Sequence, residues 1–233
     1  MNFSSNLVFQ SFVDLFFPRS CLGCLNHLKP YERALCVVCQ LNLSPTYFHK
    51  NHDNELFQEL NTLFSVHAAT ALFSFQKEGR LAHMIHLLKY KGVKKSGIYL
   101  GNWLGITLKE SPYFNAIDGI IPIPLHRKKQ KKRGYNQTHI VANEMAKVLD
   151  IPIFYNALIR IKNTPSQTQA GREERWKSIQ NAFQCSAEFR GKTGCFLLVD
   201  DIITSGATLT ACAKALYKEN AIKLSVAALG YRL

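Results

Sequence analysis

Cys195-Phe196-Leu197-Leu198-Val199-Asp200-Asp201-Ile202-Ile203-Thr204-Ser205-Gly206-Ala207-Thr208 sets the fold class of this chain. Phe196 to Val199 is a short continuous apolar run, as a strand covered on both faces requires, and it ends at two carboxylates. Thr204, Ser205, Gly206 and Thr208 are small, three of them hydroxylic, and from Ala207 the pattern A-T-L-T-A-C-A-K-A-L-Y-K-E predicts a helix. Strand, loop, helix is the implied order. Such a loop aims backbone N–H groups and the positive end of a helix at one point, which suits a phosphate. Carboxylates at the strand's carboxyl end can accept hydrogen bonds from adjacent sugar hydroxyls or hold a hydrated Mg2+ ion, where open α/β sheets bind ligands. Together these features describe a ribose 5-phosphate site. A Walker B strand could also end in V-D-D, but Gly191-Lys192-Thr193 lacks the earlier glycine of a P-loop, position 186 being serine, and it precedes a strand.

The stretch Val199 to Thr208 resembles the PRPP-binding signature of type I phosphoribosyltransferases. The resemblance implies that Asp200 and Asp201, the catalytic pair, meet the ribose hydroxyls. It implies too that Thr204, Ser205, Gly206, Ala207 and Thr208 hold the 5-phosphate, with Mg2+ accompanying PRPP.

Outward from this stretch, 233 residues suit one domain and a small appendage. Lys and Arg number 29 against 16 Asp and Glu, a net charge of +13, so the expected partners carry phosphate or other negative charge. No apolar run approaches the ~18 residues of a membrane span, and the N-terminus lacks a basic segment followed by a cleavage site. A cytoplasmic protein without a transmembrane segment is expected. The apolar segment Asn6 to Phe17 stops at Pro18; lacking the basic face of an interfacial helix, it is expected to dock on its own domain, with a membrane surface or a partner as the alternative.

Cys21, Cys24, Cys36 and Cys39 are spaced C-x2-C-x11-C-x2-C. Each pair can place two thiolates on one ion, and two pairs complete the tetrahedral S4 site that Zn2+ favours. Two disulfides or four free thiols are the alternative, which a cytoplasmic chain disfavours. Four protein ligands leave no open position, so the zinc is expected to be structural. His27, His49 and His52 read as ordinary polar residues.

A polar linker follows, from about Ser44 to Asn61. Ala68 to Phe75 then reads as a strand and Arg80 to Tyr90 as a helix with Leu81, Met84, Ile85 and Leu88 on one face. In the run Leu87 to Gly92, Lys89 and Lys91 are expected in solvent. A helix within Ser96 to Lys109, a strand at Ile117 to Ile123, a helix from Asn136 to Asp150, a strand at Ile153 to Ile161 and a last strand at Leu224 to Leu229 complete the pattern. The polar segment Lys162 to Arg175, with Pro165 and Gly171, is expected to be a mobile loop of the kind that covers active sites, with a solvated hairpin as the alternative.

Ile121 to Gln137, I-P-I-P-L-H-R-K-K-Q-K-K-R-G-Y-N-Q, is the second chemical stretch, with six basic residues among the seven from Arg127 to Arg133. It reads as a solvated loop, a nucleic-acid surface with Tyr135 available for stacking, or a clamp for the pyrophosphate of PRPP. It leaves the carboxyl end of a strand, as the aspartate pair does, which favours the clamp. The contact candidates are Arg127, Lys129, Arg133, Gly134, Tyr135, Asn136 and Gln137.

With the cysteine knuckles, these stretches resemble the ComF (competence protein F) family over nearly the whole chain. The family's P-x-P-L-H appears as Pro122 to His126, and its R-G-[FY]-N-Q as Arg133 to Gln137. Its L-x-R appears as Leu158 and Arg160, and its T-x-x-Q and later arginine as Thr164, Gln167 and Arg175. Ala170 stands where a leucine is usual and Ser178 where an asparagine is usual. The resemblance adds Arg160 to the contact candidates. It implies an α/β protein: a parallel-sheet type I phosphoribosyltransferase-like domain, 62–233, behind a small N-terminal zinc-ribbon-like module, 1–61. It also implies a PRPP-dependent transferase with an unidentified acceptor, handling single-stranded DNA in natural transformation beside a helicase or another DNA-uptake protein. A non-catalytic nucleic-acid adaptor, a nucleotide-metabolism transferase unrelated to DNA uptake, and a zinc module serving as a docking platform are the competing readings.

Overall fold

The computed structural model describes residues 19–162, 179 and 181–232. Four parallel strands, β1 (Ala69–Ser74), β2 (Gly119–Pro122), β5 (Thr193–Ile203) and β6 (Ala221–Tyr231), form the main sheet in the order β1-β6-β5-β2. The central strands carry the continuous apolar runs because both their faces are covered. Successive side chains point to opposite sides, so Leu197, Val199, Ala227 and Leu229 join one apolar cluster, while Phe196, Leu198, Val226 and Ala228 join another.

The first cluster is closed by α3 (Arg80–Tyr90), α4 (Lys94–Lys109) and α6 (Gln137–Leu149). The second is closed by α2 (Glu55–Asn61) and α7 (Ala207–Tyr217). Helices α4 and α6 meet almost backbone to backbone: a Cβ on Gly101 would lie 2.6 Å from the Val141 carbonyl oxygen. That close approach sets the height of α6, and with it the residues at its N-terminus, against the sheet.

Three expectations are corrected. The stretch 44–61 is no linker: Asn54 caps α2, accepting from the Phe57 N–H at 3.0 Å and donating to the Ala69 carbonyl at 2.9 Å, and Leu56 and Leu60 are fully buried. The polar residues there lie on the outer face of an amphipathic helix. The basic stretch is no loop but a short helix, α5 (Arg127–Arg133), capped by the His126 side chain, which accepts from the Lys128 N–H. The segment Ile153 to Ile161 is not one strand. Ile153 bridges Ile120 at the edge of the main sheet, whereas β3 (Leu158–Arg160) pairs antiparallel with β4 (Phe183–Cys185) in a separate two-stranded sheet.

The cysteine module, with its short helix α1 (Val37–Leu41), packs onto the α3–α4 side: Cys21, Leu22, Leu35, Cys39 and Leu43 share one apolar cluster with Phe73, Leu81 and Leu104. The expectations for Asn6 to Phe17, and for the loop bearing Thr164, Gln167, Ala170, Arg175 and Ser178, lie outside the described residues. Among the described residues no helix is long and apolar enough to cross a membrane.

Candidate functional site

Strands β2 and β5 run side by side with Pro122 opposite Val199, and the chain leaving β2 stays in register, the Ile123 N–H donating to the Val199 carbonyl at 3.0 Å. The basic stretch therefore emerges beside Asp200. Asn136 then ties the start of α6 to this exit. Its Nδ2 donates to the Ile123 carbonyl at 3.0 Å, as the Thr138 hydroxyl does at 2.8 Å, and its Oδ1 accepts from the Thr138 N–H at 3.2 Å. This clasp places Gln137, the first residue of α6, against Asp201. Gln137 Nε2 donates to Asp201 Oδ2 at 2.7 Å and its Oε1 accepts from Arg133 Nη1. Lys89 Nζ, from the end of α3, reaches the same carboxylate oxygen at 2.8 Å.

The strand period separates the two carboxylates. Asp201 faces the α3–α6 side with Lys89 and Gln137, while Asp200 turns toward Arg160 of β3 and Cys212 of α7. Burial, and then the neighbouring Asp201 charge, push the Asp200 carboxyl from its ordinary 3.8 up to about 7. Its Oδ1 accepts the Asp201 N–H at 2.8 Å, and Lys89 and Arg160 oppose the rise only partly. Burial also lowers the Arg160 guanidinium, and burial with Arg160, Arg133 and Lys89 lowers the Lys129 ammonium. Lys89, Lys129, Arg133 and Arg160 thus outnumber the two carboxylates beside them.

These groups line one cleft of ≈ 230 Å³ at the carboxyl ends of β2 and β5. Lys89, Lys129, Arg133 and Arg160 stand around Asp200 and Asp201, and Thr208 forms part of its border. Gly206, with φ +65 and Leu63 Cδ1 only 2.8 Å from where a Cβ would stand, turns the chain into α7. Thr204 is exposed, while Ser205, Gly206 and Ala207 are buried in that turn. Of the basic-stretch candidates, Lys129, Arg133 and Gln137 reach the cleft and Tyr135 lines a neighbouring cavity. Arg127 and Gly134 line neither cavity, and Asn136, 2% exposed, is committed to its clasp.

Lys89 was expected in solvent; instead it is mostly buried and paired. One signal marks it: four residues after Ile85, it lies only about 40° around the helix from the buried stripe, an unusual place for a cation without a partner. Lys91, on the other side, is exposed. A larger cavity of ≈ 710 Å³ lies between α7 and β4, but it borders the undescribed segment and contains neither aspartate of the pair.

The four cysteines bring their sulfurs within 4.8 Å of one another. Cys24 Sγ and Cys36 Sγ are 3.8 Å apart, far beyond a disulfide bond but equal to the edge of a tetrahedron with metal–sulfur bonds of about 2.3 Å. The Gly23 and Cys36 N–H groups donate to Cys21 Sγ at 3.3 and 3.2 Å, and such hydrogen bonds hold that thiol down at about 7 against burial. This cluster can bind zinc, and no fifth position is needed.

The phosphoribosyl transferase domain family matches residues 138–232. Competence protein F of Haemophilus influenzae is 26% identical over 219 residues, covering 87% of this chain and 93% of its own. Competence protein ComFC of Bacillus subtilis is 34% identical over 102 residues, 43% of this chain and 38% of its own. Among solved structures, an adenine phosphoribosyl transferase from Trypanosoma brucei aligns at 11% identity with a TM-score of 0.40, covering 67% of this chain and 69% of its own. With a four-cysteine cluster ahead of a phosphoribosyl transferase domain, it is the ComF family that this chain resembles along most of its length.

Proposed function

We propose that the cleft binds PRPP with Mg2+ and that the protein acts in handling incoming single-stranded DNA during natural transformation. The observation that carries the first part is a carboxylate pair, Asp201 buried and Asp200 half-buried, ringed by four cations at the carboxyl end of a parallel sheet. A sugar bearing a diphosphate matches that layout: hydroxyls on Asp200 and Asp201, the 5-phosphate in the turn Thr204 to Thr208, the diphosphate among Lys89, Lys129, Arg133 and Arg160. The names of the two competence relatives and the +13 charge support the second part.

The reaction class is transfer of the phosphoribosyl group. An acceptor lone pair forms a bond to C1 of the ribose as the C1–oxygen bond breaks, its electron pair leaving on pyrophosphate. Negative charge grows on the leaving group where the cations already stand, and positive charge on the ring beside the carboxylates, so both are stabilised without reorganisation. Mg2+ would supply further neutralisation of the diphosphate.

Calorimetric titration of the intact chain with PRPP and Mg2+, set against Asp201→Asn, tests this. Binding in the first and its loss in the second supports the site, and release of pyrophosphate in the presence of a nucleobase or nucleotide acceptor supports transfer. No binding to folded protein removes the PRPP reading. Binding without turnover leaves a PRPP-responsive adaptor.

A further inference from the structure

A second cavity, of ≈ 270 Å³, opens on the other side of the cation wall, lined by Tyr90, Tyr135 and Lys132 together with Lys89, Lys129 and Arg133. The two cavities share Lys89, Tyr90, Lys129 and Arg133, but the aspartates border only the first. None of the groups lining the second is acidic, and among the described residues neither Lys129 nor Lys132 is paired with a carboxylate. Lys89 is spent on Asp201, but Lys129 and Lys132 carry charge that no carboxylate among the described residues takes up.

The rings differ in availability. Tyr135 is fixed as a wall, its hydroxyl donating to the Leu88 carbonyl and the Lys94 ammonium lying 5.3 Å from its ring centroid. Tyr90 is 64% exposed although the Arg133 guanidinium sits 5.4 Å, and the tilted His86 ring 5.1 Å, from its centroid. An open aromatic face beside unpaired ammonium groups recognises a base joined to phosphates, and PRPP has no such base.

We propose that this second cavity is a single-stranded DNA subsite, with one base on Tyr90 and flanking phosphates on Lys132 and Lys129. The stacking platform is Tyr90, not Tyr135. Because the strand and the diphosphate of PRPP draw on the same Lys89, Lys129 and Arg133, each ligand weakens the other. The proposal rests on the DNA-handling reading above.

The test is fluorescence anisotropy of a labelled oligo-dT strand titrated with the full chain. Tyr90→Ala weakens the strand by about 5- to 150-fold, the range for a lost base stack, while Tyr90→Phe keeps it. Lys132→Gln lowers the magnitude of the salt slope by about 0.7 and leaves Mg2+–PRPP titrations unchanged. Adding Mg2+ and PRPP weakens the strand, and the strand weakens PRPP by the same factor, as linkage requires. Wild-type protein that binds the strand while Tyr90→Ala and Lys132→Gln bind it equally well overturns the subsite and spares the DNA reading. A chain that binds PRPP but no oligonucleotide overturns both. Thymidine monophosphate displacing the strand at strand-like concentrations overturns the assignment in favour of a free-nucleotide site.

Discussion

Asp200→Asn isolates the electrostatic cost of an empty site. The Asp200 carboxyl is pushed from 3.8 to about 7, so the folded protein holds a proton there that the unfolded chain has released. Stability from this group is fully present below pH 4 and is lost as pH rises through 7, because the unfolded state binds fewer protons in that window. Between pH 5 and 7 the loss is two pH units at about 1.36 kcal/mol each, roughly 3 kcal/mol. Asparagine keeps the oxygen that accepts the Asp201 N–H and cannot ionise, so it escapes this loss. In a chain of this size the difference corresponds to roughly 6–12 °C in Tm. Scanning calorimetry of both proteins at pH 5 and pH 8, without ligand, should show the variant gaining that much on wild type between the two conditions. Subtracting one protein from the other cancels the acid sensitivity of the thiolate cluster, which both retain. Parallel Tm profiles would refute the reasoning, because they would mean that Asp200 ionises freely and is not the desolvated partner of Asp201.

Lys89→Gln removes a wall cation and the ion pair to Asp201; PRPP affinity measured by calorimetry should fall about 10- to 150-fold, the range of a lost charge-assisted hydrogen bond, and an unchanged Kd would remove Lys89 from the site. Gly101→Ala would put a Cβ 2.6 Å from the Val141 carbonyl oxygen and 2.9 Å from its Cα, both backbone atoms that cannot turn aside. Urea melts should show a loss of about 1–3 kcal/mol despite the ~1 kcal/mol that alanine adds in a helix, and an unaltered midpoint would mean α4 and α6 separate without cost. Chelation should release one zinc per chain and lower Tm for the whole molecule by more than about 10 °C, since Cys21 and Cys39 share an apolar cluster with Phe73 and Leu104; a thermogram unchanged by chelator would show that the cluster holds no structural metal.

The legible part of this protein was local. Asp200, Asp201 and the turn to Thr208 announce themselves because the strand, the carboxylates and the helix start are contiguous, and the cysteines because their spacing alone fixes two knuckles. The pairing of Lys89 was illegible for the opposite reason, although its place beside the buried stripe was not. Its partner Asp201 lies on another element, and only the packing of α3 beside β5 joins them. The clasp of Asn136 and Thr138 on Ile123 was hidden in the same way: their residue types mark a helix cap, but nothing local says that the cap also grips a strand exit.

The basic stretch misled for a more informative reason. Arg127 with Lys131, Lys128 with Lys132 and Lys129 with Arg133 are like-charge pairs at i,i+4, each opposing a helix by about 0.2–0.5 kcal/mol, so local rules argue for a loop. The chain is helical there all the same, which concentrates the repulsion where Lys89 and Arg160 add to it. A sequence that breaks its own local rule without a compensating carboxylate points to something outside the chain as the compensation. By this argument a diphosphate or a DNA phosphate, if held beside α5 as proposed, would also remove the charge that opposes the helix. Hydrogen-exchange protection of 127–133 should therefore rise when Mg2+–PRPP binds, and protection that stays the same while PRPP is demonstrably bound would place the diphosphate away from this helix.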